Sequence, residues 1–332
     1  MVKTPICILT ADSKPLNDLI LQRIISVTVT DNRANEADQL DIVLDDSDGV
    51  LELPRRGVKI NCQLGFEGEG VHDKGDFIVD ETEWSGTPDR ITIKASSANF
   101  KSNIKEAKSK SFHRKKFGEI ATEIAQNHNL TLVMTDELKQ INLNHIDQTN
   151  ESDLNLLVRI SKQNGAEMAV KKDRLLIFKA GSAKTASGKD LPSVTLTRND
   201  GDQFNYSEQD RESDHTGVSA SYQDTGKAKR ETVTTGAEGK VKRLKGTFAN
   251  KEEAERASKA KMDEIKRQMA KFSITTAFGI PSISTETPIN LDGFKPQVDK
   301  LNWIVGKATH RYSTSGLTMH IELEANIKYL KN

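Results

Sequence analysis

Apolar and polar residues alternate with a period of two through most of the first hundred positions. Ile25, Val27 and Val29 fall on one side of an extended segment, and Ser26, Thr28 and Thr30 on the other. Leu40, Ile42 and Leu44 repeat the pattern. So do Val58, Ile60, Cys62 and Leu64 against Lys59, Asn61 and Gln63, and the segments 75–84 and 90–96 continue it. Turn-forming clusters separate the runs: DNRANEA at 31–37, DDSDG at 45–49, FEGEG at 66–70 and SGTPD at 85–89. Five short strands at this spacing predict a small antiparallel barrel or sandwich.

The period then changes. Phe117, Ile120, Ala121, Ile124 and Ala125 form a helical stripe. A second helix is predicted in the segment 149–165, with Leu154, Leu157, Val158 and Ile160 apolar, Asn150 or Ser152 able to cap its start, and Gly165 placed to end it. Residues 166–181 read as a hairpin turning at Lys172 and Asp173. GSAKTASGKD at 181–190 has the composition of a linker. Strands return at 215–224, 229–235 and 240–248. A long helix follows, opened by Asn250 and Glu253 in a capping-box pattern and running to about Lys271. Its apolar stripe is thin (Ala254, Ala257, Met262, Ile265, Met269), which suits a helix lying on a surface or bridging to a neighbour. The C-terminal runs are β again, and in the last of them Leu317, Met319, Ile321, Leu323 and Ala325 alternate with polar residues. The expected fold is α+β, mainly β: two antiparallel barrel-like domains over 1–98 and 182–332, the second carrying the helix 251–271, flank a small α/β insert over 99–181.

Composition limits the function. The chain has 332 residues with 48 basic and 48 acidic side chains, so no global charge points to nucleic acid or an anionic membrane. Mean hydropathy is −0.58, but the apolar residues are patterned, which marks a folded chain. Cys7 and Cys62 do not make a disulfide scaffold; Cys62 sits at an inward strand position and reads as a buried thiol, in keeping with reduced cytoplasmic synthesis. The N-terminal apolar run is too short for a signal peptide, and no stretch reaches the ~20 apolar residues of a membrane span, so neither export nor a membrane anchor is expected.

Candidate chemistry is sparse. The seven histidines (His72, His113, His128, His145, His215, His310, His320) follow no metal-ligand spacing. His128 reads as a helix-end residue, and His310 and His320 as polar strand-face residues. Asp45, Asp46, Asp48 and Gly49 resemble a calcium loop, but the register puts Leu44 first and Arg55 twelfth, so a turn is expected. Gly65, Gly68 and Gly70 are interleaved with glutamates and lack a following Gly-Lys-Ser/Thr, which fits a hairpin loop. No nucleophile elbow is present. No catalytic residue, metal or cofactor is therefore expected. One basic run stands out: Lys101, Lys105, Lys108, Lys110, Arg114, Lys115 and Lys116 against Glu106. It reads as a solvated face, a docking surface for an acidic partner or, with only Phe112 interleaved, a nucleic-acid contact.

The segment 148–178 carries a resemblance. Gln148, a short polar run, then Ser152, Asp153 and Leu154, an apolar helix containing Arg159, Gly165 and a closing hairpin are similar to the late-control-D family of phage tail proteins. The strands at 53–66, 90–100 and 303–324 resemble it too. The resemblance implies a structural baseplate hub of a contractile phage tail, or of a headless bacteriocin-like particle, similar to the hub half of the type VI secretion spike. It implies two barrel-like tube domains per subunit and a homotrimer closing a pseudo-sixfold ring that joins the sixfold tail tube to a threefold central spike. Implied partners are the spike, the tail tube protein, baseplate wedge proteins and the tape-measure protein, with DNA only as lumen cargo; assembly would take place in the host bacterial cytoplasm. Because the sequence ends at Asn332 just after its last strand, a separate spike protein is expected. The rival readings are a tail-associated cell-wall hydrolase, which would need an acid–base pair or metal, and a carbohydrate-binding adhesive module, for which 5% aromatic residues are few.

Overall fold

A computed structural model describes residues 3–33, 36–97, 102–208, 215–224 and 226–325. The alternating N-terminal segments pair as antiparallel strands. They are β1 (Pro5–Ala11), β2 (Lys14–Pro15), β3 (Ile24–Asn32), β4 (Gln39–Asp45), β5 (Lys59–Phe66), β6 (Gly70–Ser85) and β7 (Arg90–Ser96), with a short α1 (Asp18–Gln22) before β3. The N-terminal apolar run is thus itself a strand. Apart from β2, whose two residues are exposed, one face of each strand is buried around Val27, Leu40, Ile42, Leu64, Phe77 and Ile91, as the alternation predicts. A register shift between Ile24 and Ser26 makes one change: Ile24, not Ile25, packs against this core.

The middle of the chain builds its own core. A 3₁₀ turn (Ser102–Lys105) leads into β8 (Ala107–Lys116), α2 (Phe117–Asn127), β9 (Thr131–Met134), α3 (Asp136–Lys139), β10 (Asn142–Ser152), α4 (Asp153–Gln163), β11 (Ala166–Lys171) and β12 (Arg174–Lys179). β8 and β10 form a two-stranded ribbon, and β11, β12 and β9 a three-stranded sheet with β9 parallel to β12. Phe117, Ile120, Ala121, Ile124 and Ala125 of α2 are buried, as their 3.6-residue spacing requires. On α4 the inward face is Leu156, Leu157 and Ile160, while Leu154 and Val158 are only partly buried. Lys172 and Asp173 both have positive φ, 50° and 55°, the two-residue turn whose twist suits a hairpin.

The remaining elements are β13 (Val194–Thr197), β14 (Gly201–Glu208), β15 (Gly217–Asp224), β16 (Lys229–Gly236), β17 (Val241–Phe248), α5 (Lys251–Arg267), β18 (Ala270–Thr276), β19 (Pro288–Asp292), α6 (Pro296–Asp299), β20 (Trp303–Ser313) and β21 (Gly316–Ala325). The segment 181–190 closes on itself, with Thr185 N donating to Lys189 O at 2.8 Å. Asn250 caps α5 by accepting from Glu253 N at 2.9 Å. The helix stops at Arg267, short of Lys271, because Ala270 already opens β18. It packs on the sheet β16–β15–β17 through Met262, Ile265 and Ala254. Its other side meets the middle region: Glu253 Oε1 accepts from Asn144 N, and Arg256 Nε donates to Asn164 Oδ1, both at 3.1 Å.

The first and last β regions share one thirteen-stranded sheet, joined where β20 pairs antiparallel with β3. Among the described residues the sheets are open, so the two barrel-like units expected from the sequence are not separate closed barrels. The longest path through the large sheet ends at β14 on one side and β2 on the other. β21 carries the alternation of its sequence unchanged, with Leu317, Met319, Ile321, Leu323 and Ala325 buried.

Candidate functional site

The residues that carry the family resemblance gather around one buried carboxylate. A bulge in β10 between Gln148 and Glu151, with Asn150 at φ 47°, turns the Gln148 side chain inward. Gln148 Nε2 donates to Glu151 O at 2.8 Å and to Asp153 Oδ1 at 2.9 Å. Asp153 Oδ2 accepts from Lys108 Nζ at 2.7 Å and lies 2.8 Å from His128 Nε2. Burial by itself pushes the Asp153 carboxyl up, but the bonds from Lys108, His128 and Gln148 carry it below the ordinary aspartate value. Ser152 caps α4 through Asn155 N at 3.2 Å; Asn150 belongs to the bulge instead. Arg159 grips Glu151 with both arms, Nε to Oε1 at 3.0 Å and Nη2 to Oε2 at 2.7 Å, and also reaches Asp147 O. Leu154 packs against the middle core, and Gly165, at φ 67°, lets the chain leave α4 for β11. The structure brings Gln148, Ser152, Asp153 and Arg159 together in one framework and places Leu154 and Gly165 at its margins.

His128 is therefore a buried bonding residue as well as a helix end. His310 is also buried, not on a polar strand face; its Nε2 donates to Ile283 O at 3.2 Å, and burial lowers its pKa to about 3. His320 lies on the opposite face, near Thr275. Much of the basic run is bonded within the chain. Lys108 meets Asp153, Lys110 and Lys115 both meet Glu123, and Lys116 Nζ donates to Gln140 Oε1 at 2.5 Å. Lys101, also part of that run, lies outside the described residues.

Two further clusters, missed in the sequence, sit where the three regions meet. Lys171 of β11 donates to Asp31 Oδ1 at 2.7 Å and pairs with Asp38 Oδ2 at 2.9 Å. Asp31 Oδ2 also accepts from Thr285 N at 3.2 Å. Lys74 of β6 donates to Pro281 O at 2.8 Å and Ile283 O at 3.2 Å. Burial raises Asp38 to about 6 and lowers Lys74 to about 8. These groups line a cleft of about 410 Å³ that also takes in His72 and Asp73. In the second cluster Arg33 meets Glu286, Glu324 and Glu167, the last at 3.1 Å. Burial raises Glu167 to about 7. One signal was legible: Asp31 continues the inward phase of Val27 and Val29, an ionisable residue where the pattern asks for an apolar one. Among the described residues, no three His, Cys, Asp or Glu side chains are arranged to hold a metal, and no helix is long and apolar enough to cross a membrane.

This mainly β fold, with its buried charges at the junction of the three regions, has solved counterparts. The tail protein from Neisseria meningitidis MC58 superposes with a TM-score of 0.71 at 11% identity, over 97% of this chain and 96% of that one. The Escherichia coli c3393 protein, a component of the type VI secretion system, superposes with a TM-score of 0.59 at 8% identity, over 95% and 76%. The sequence goes further than the fold. The phage tail baseplate hub (GPD) family model matches residues 74–316. The "Probable baseplate hub protein" of Escherichia phage 186 is 39% identical, over 97% of this chain and 93% of its own length. The chain belongs to the phage tail baseplate hub (GPD) family, and is a structural baseplate hub protein of a phage tail.

Proposed function

We propose that three copies of this chain close a non-enzymatic ring that joins the sixfold tail tube to the threefold central spike of a contractile tail. On this reading, residues 1–98 and 182–332 are the two tube domains of each subunit, each curling barrel-like toward its neighbour, and 99–181 is an insert between them. The ring contacts the spike, tube, wedge and tape-measure proteins and passes DNA through its lumen, after assembly in the host cytoplasm.

The open thirteen-stranded sheet is the observation that carries this reading. Among the described residues, β14 pairs on one side only, with β18, and at the other end β1 has only the two-residue β2 beyond it. Exposed strand edges favour further pairing. A head-to-tail contact between unlike edges closes a ring when its rotation is right. Family membership over most of the chain supports the same job.

The test is native mass, measured for the chain alone and mixed with its spike protein. Three copies of 36.8 kDa give about 110 kDa. That mass, alone or only with the spike, supports the ring. A monomer with no affinity for the spike overturns it.

A further inference from the structure

The outer face of the β8–β10 ribbon carries a cluster that the hub reading does not use. His113 and His145 are direct cross-strand partners, their rings stacked with centroids 4.6 Å apart and planes inclined by 28°. Their Nδ1 atoms lie 3.0 Å from one another. On its other side, His145 places Nε2 at 2.9 Å from Asp147 Oδ2. Asp147 is held in turn by Ser111, whose hydroxyl donates to Oδ1 at 2.6 Å. Ser111 and Asp147 are the next cross-strand pair on the same face.

This is the arrangement of a histidine ligand with its carboxylate partner. An ionised carboxylate only accepts hydrogen bonds, so the His145 ring donates through Nε2 and its Nδ1 presents a lone pair. With that lone pair on His145, a neutral His113 ring donates through Nδ1 across the 3.0 Å gap. A metal takes that place when His113 moves its proton to Nε2, so neutral rings release no proton. Metal–nitrogen bonds of about 2.0–2.1 Å to atoms 3.0 Å apart subtend roughly 90° at the ion. That angle matches adjacent positions of tetragonal copper(II) or octahedral nickel(II); tetrahedral zinc needs the nitrogens a few tenths of an ångström farther apart.

The neighbouring charges permit it. Lys110 and Lys115, on the same strand as His113, bond to Glu123 and lie over the buried Phe112 ring. Arg114 is exposed, and Arg159, which reaches Asp147 O, pairs with Glu151. The side chains of His145 and Asp147 are 45% and 54% exposed, so an ion can reach them.

We propose that His113 and His145 form a two-histidine site for a divalent transition metal, with Asp147 orienting His145 and water completing the coordination. The ion staples β8 to β10. The inference is independent of ring formation.

The experiment is titration of the full chain with Cu²⁺, Ni²⁺ and Zn²⁺ in turn, followed by calorimetry and by imidazole ¹⁵N chemical shifts. The expected result is one ion per chain at neutral pH, tightest for Cu²⁺, with shifts at Nδ1 of both rings. His113→Gln and His145→Gln each abolish this binding, and Asp147→Asn weakens it about 10- to 100-fold. Circular dichroism of each variant separates loss of the site from loss of fold. Absence of saturable binding in the wild-type chain overturns the proposal. So does a one-per-chain site that survives in the His113→Gln/His145→Gln double variant.

Discussion

Asp153, the first residue of α4, and His128, the cap residue of α2, meet at 2.8 Å between Oδ2 and Nε2, with both side chains buried. Lys108 of β8 reaches the same oxygen, so one carboxylate ties the ribbon and both long helices of the middle region together. Asp153→Asn removes the charge that these donors share. Unfolding free energy in urea is expected to fall by roughly 2–4 kcal/mol. Because the folded-state pKa of Asp153 is depressed, its stabilisation is present above the unfolded value of about 4 and is lost as pH falls through the folded value. The gap between wild type and variant is therefore expected to narrow below about pH 4. A gap independent of pH would remove the carboxylate from this role.

Glu167 runs the other way. Burial raises it from 4.5 to about 7, above the nearby cation's pull, so the folded chain holds an extra proton across that window. Stability contributed by this group declines as pH rises from 4.5 to about 7. Asp38, raised from 3.8 to about 6, adds to the decline at its lower end. Glu167→Gln is expected to flatten the loss of thermal midpoint between pH 5 and pH 8. Parallel curves for wild type and variant would contradict it.

Lys171 and Lys172 are adjacent in sequence but unequal in energy. Lys171→Met leaves Asp31 and Asp38 buried without their cation, and should cost roughly 3–5 kcal/mol in chemical denaturation. Lys172 pairs with Asp73 at 2.5 Å in an exposed position, so Lys172→Met should cost under about 1 kcal/mol. Equal losses would show that the junction does not depend on the buried pair.

Asp173 holds φ at 55° in the hairpin turn. Asp173→Gly relieves that conformation, and a gain of about 0.5–1 kcal/mol in unfolding free energy is expected, offset in part by the entropy of the unfolded glycine.

The two tryptophans report different places. Trp303 is fully buried with Nε1 donating to Val298 O at 3.0 Å, whereas Trp84 is 60% exposed. Trp84→Phe should leave a blue-shifted emission shielded from acrylamide, and Trp303→Phe a red-shifted, quenchable one. Trp303→Ala should cost about 3–5 kcal/mol.

Local periodicity determined much of this protein. The inward residues of β21 and of α2 follow directly from periods of 2 and 3.6, and the Asn250 and Ser152 caps and the Lys172–Asp173 turn follow from side-chain and backbone chemistry within a few residues. The order and spacing of Gln148, Ser152, Asp153, Leu154, Arg159 and Gly165, together with the strands at 53–66, 90–100 and 303–324, suggested the family. Tertiary structure alone decided the rest. No local pattern states that β20 pairs with β3, which merges two β regions into one sheet. None states that Lys171 meets Asp31, that Arg33 collects three glutamates, or that His113 lies opposite His145. Strand alternation specifies which face a residue takes, but not which strand lies beside it. That choice depends on long-range register, and buried charges are placed only when every neighbour is in position.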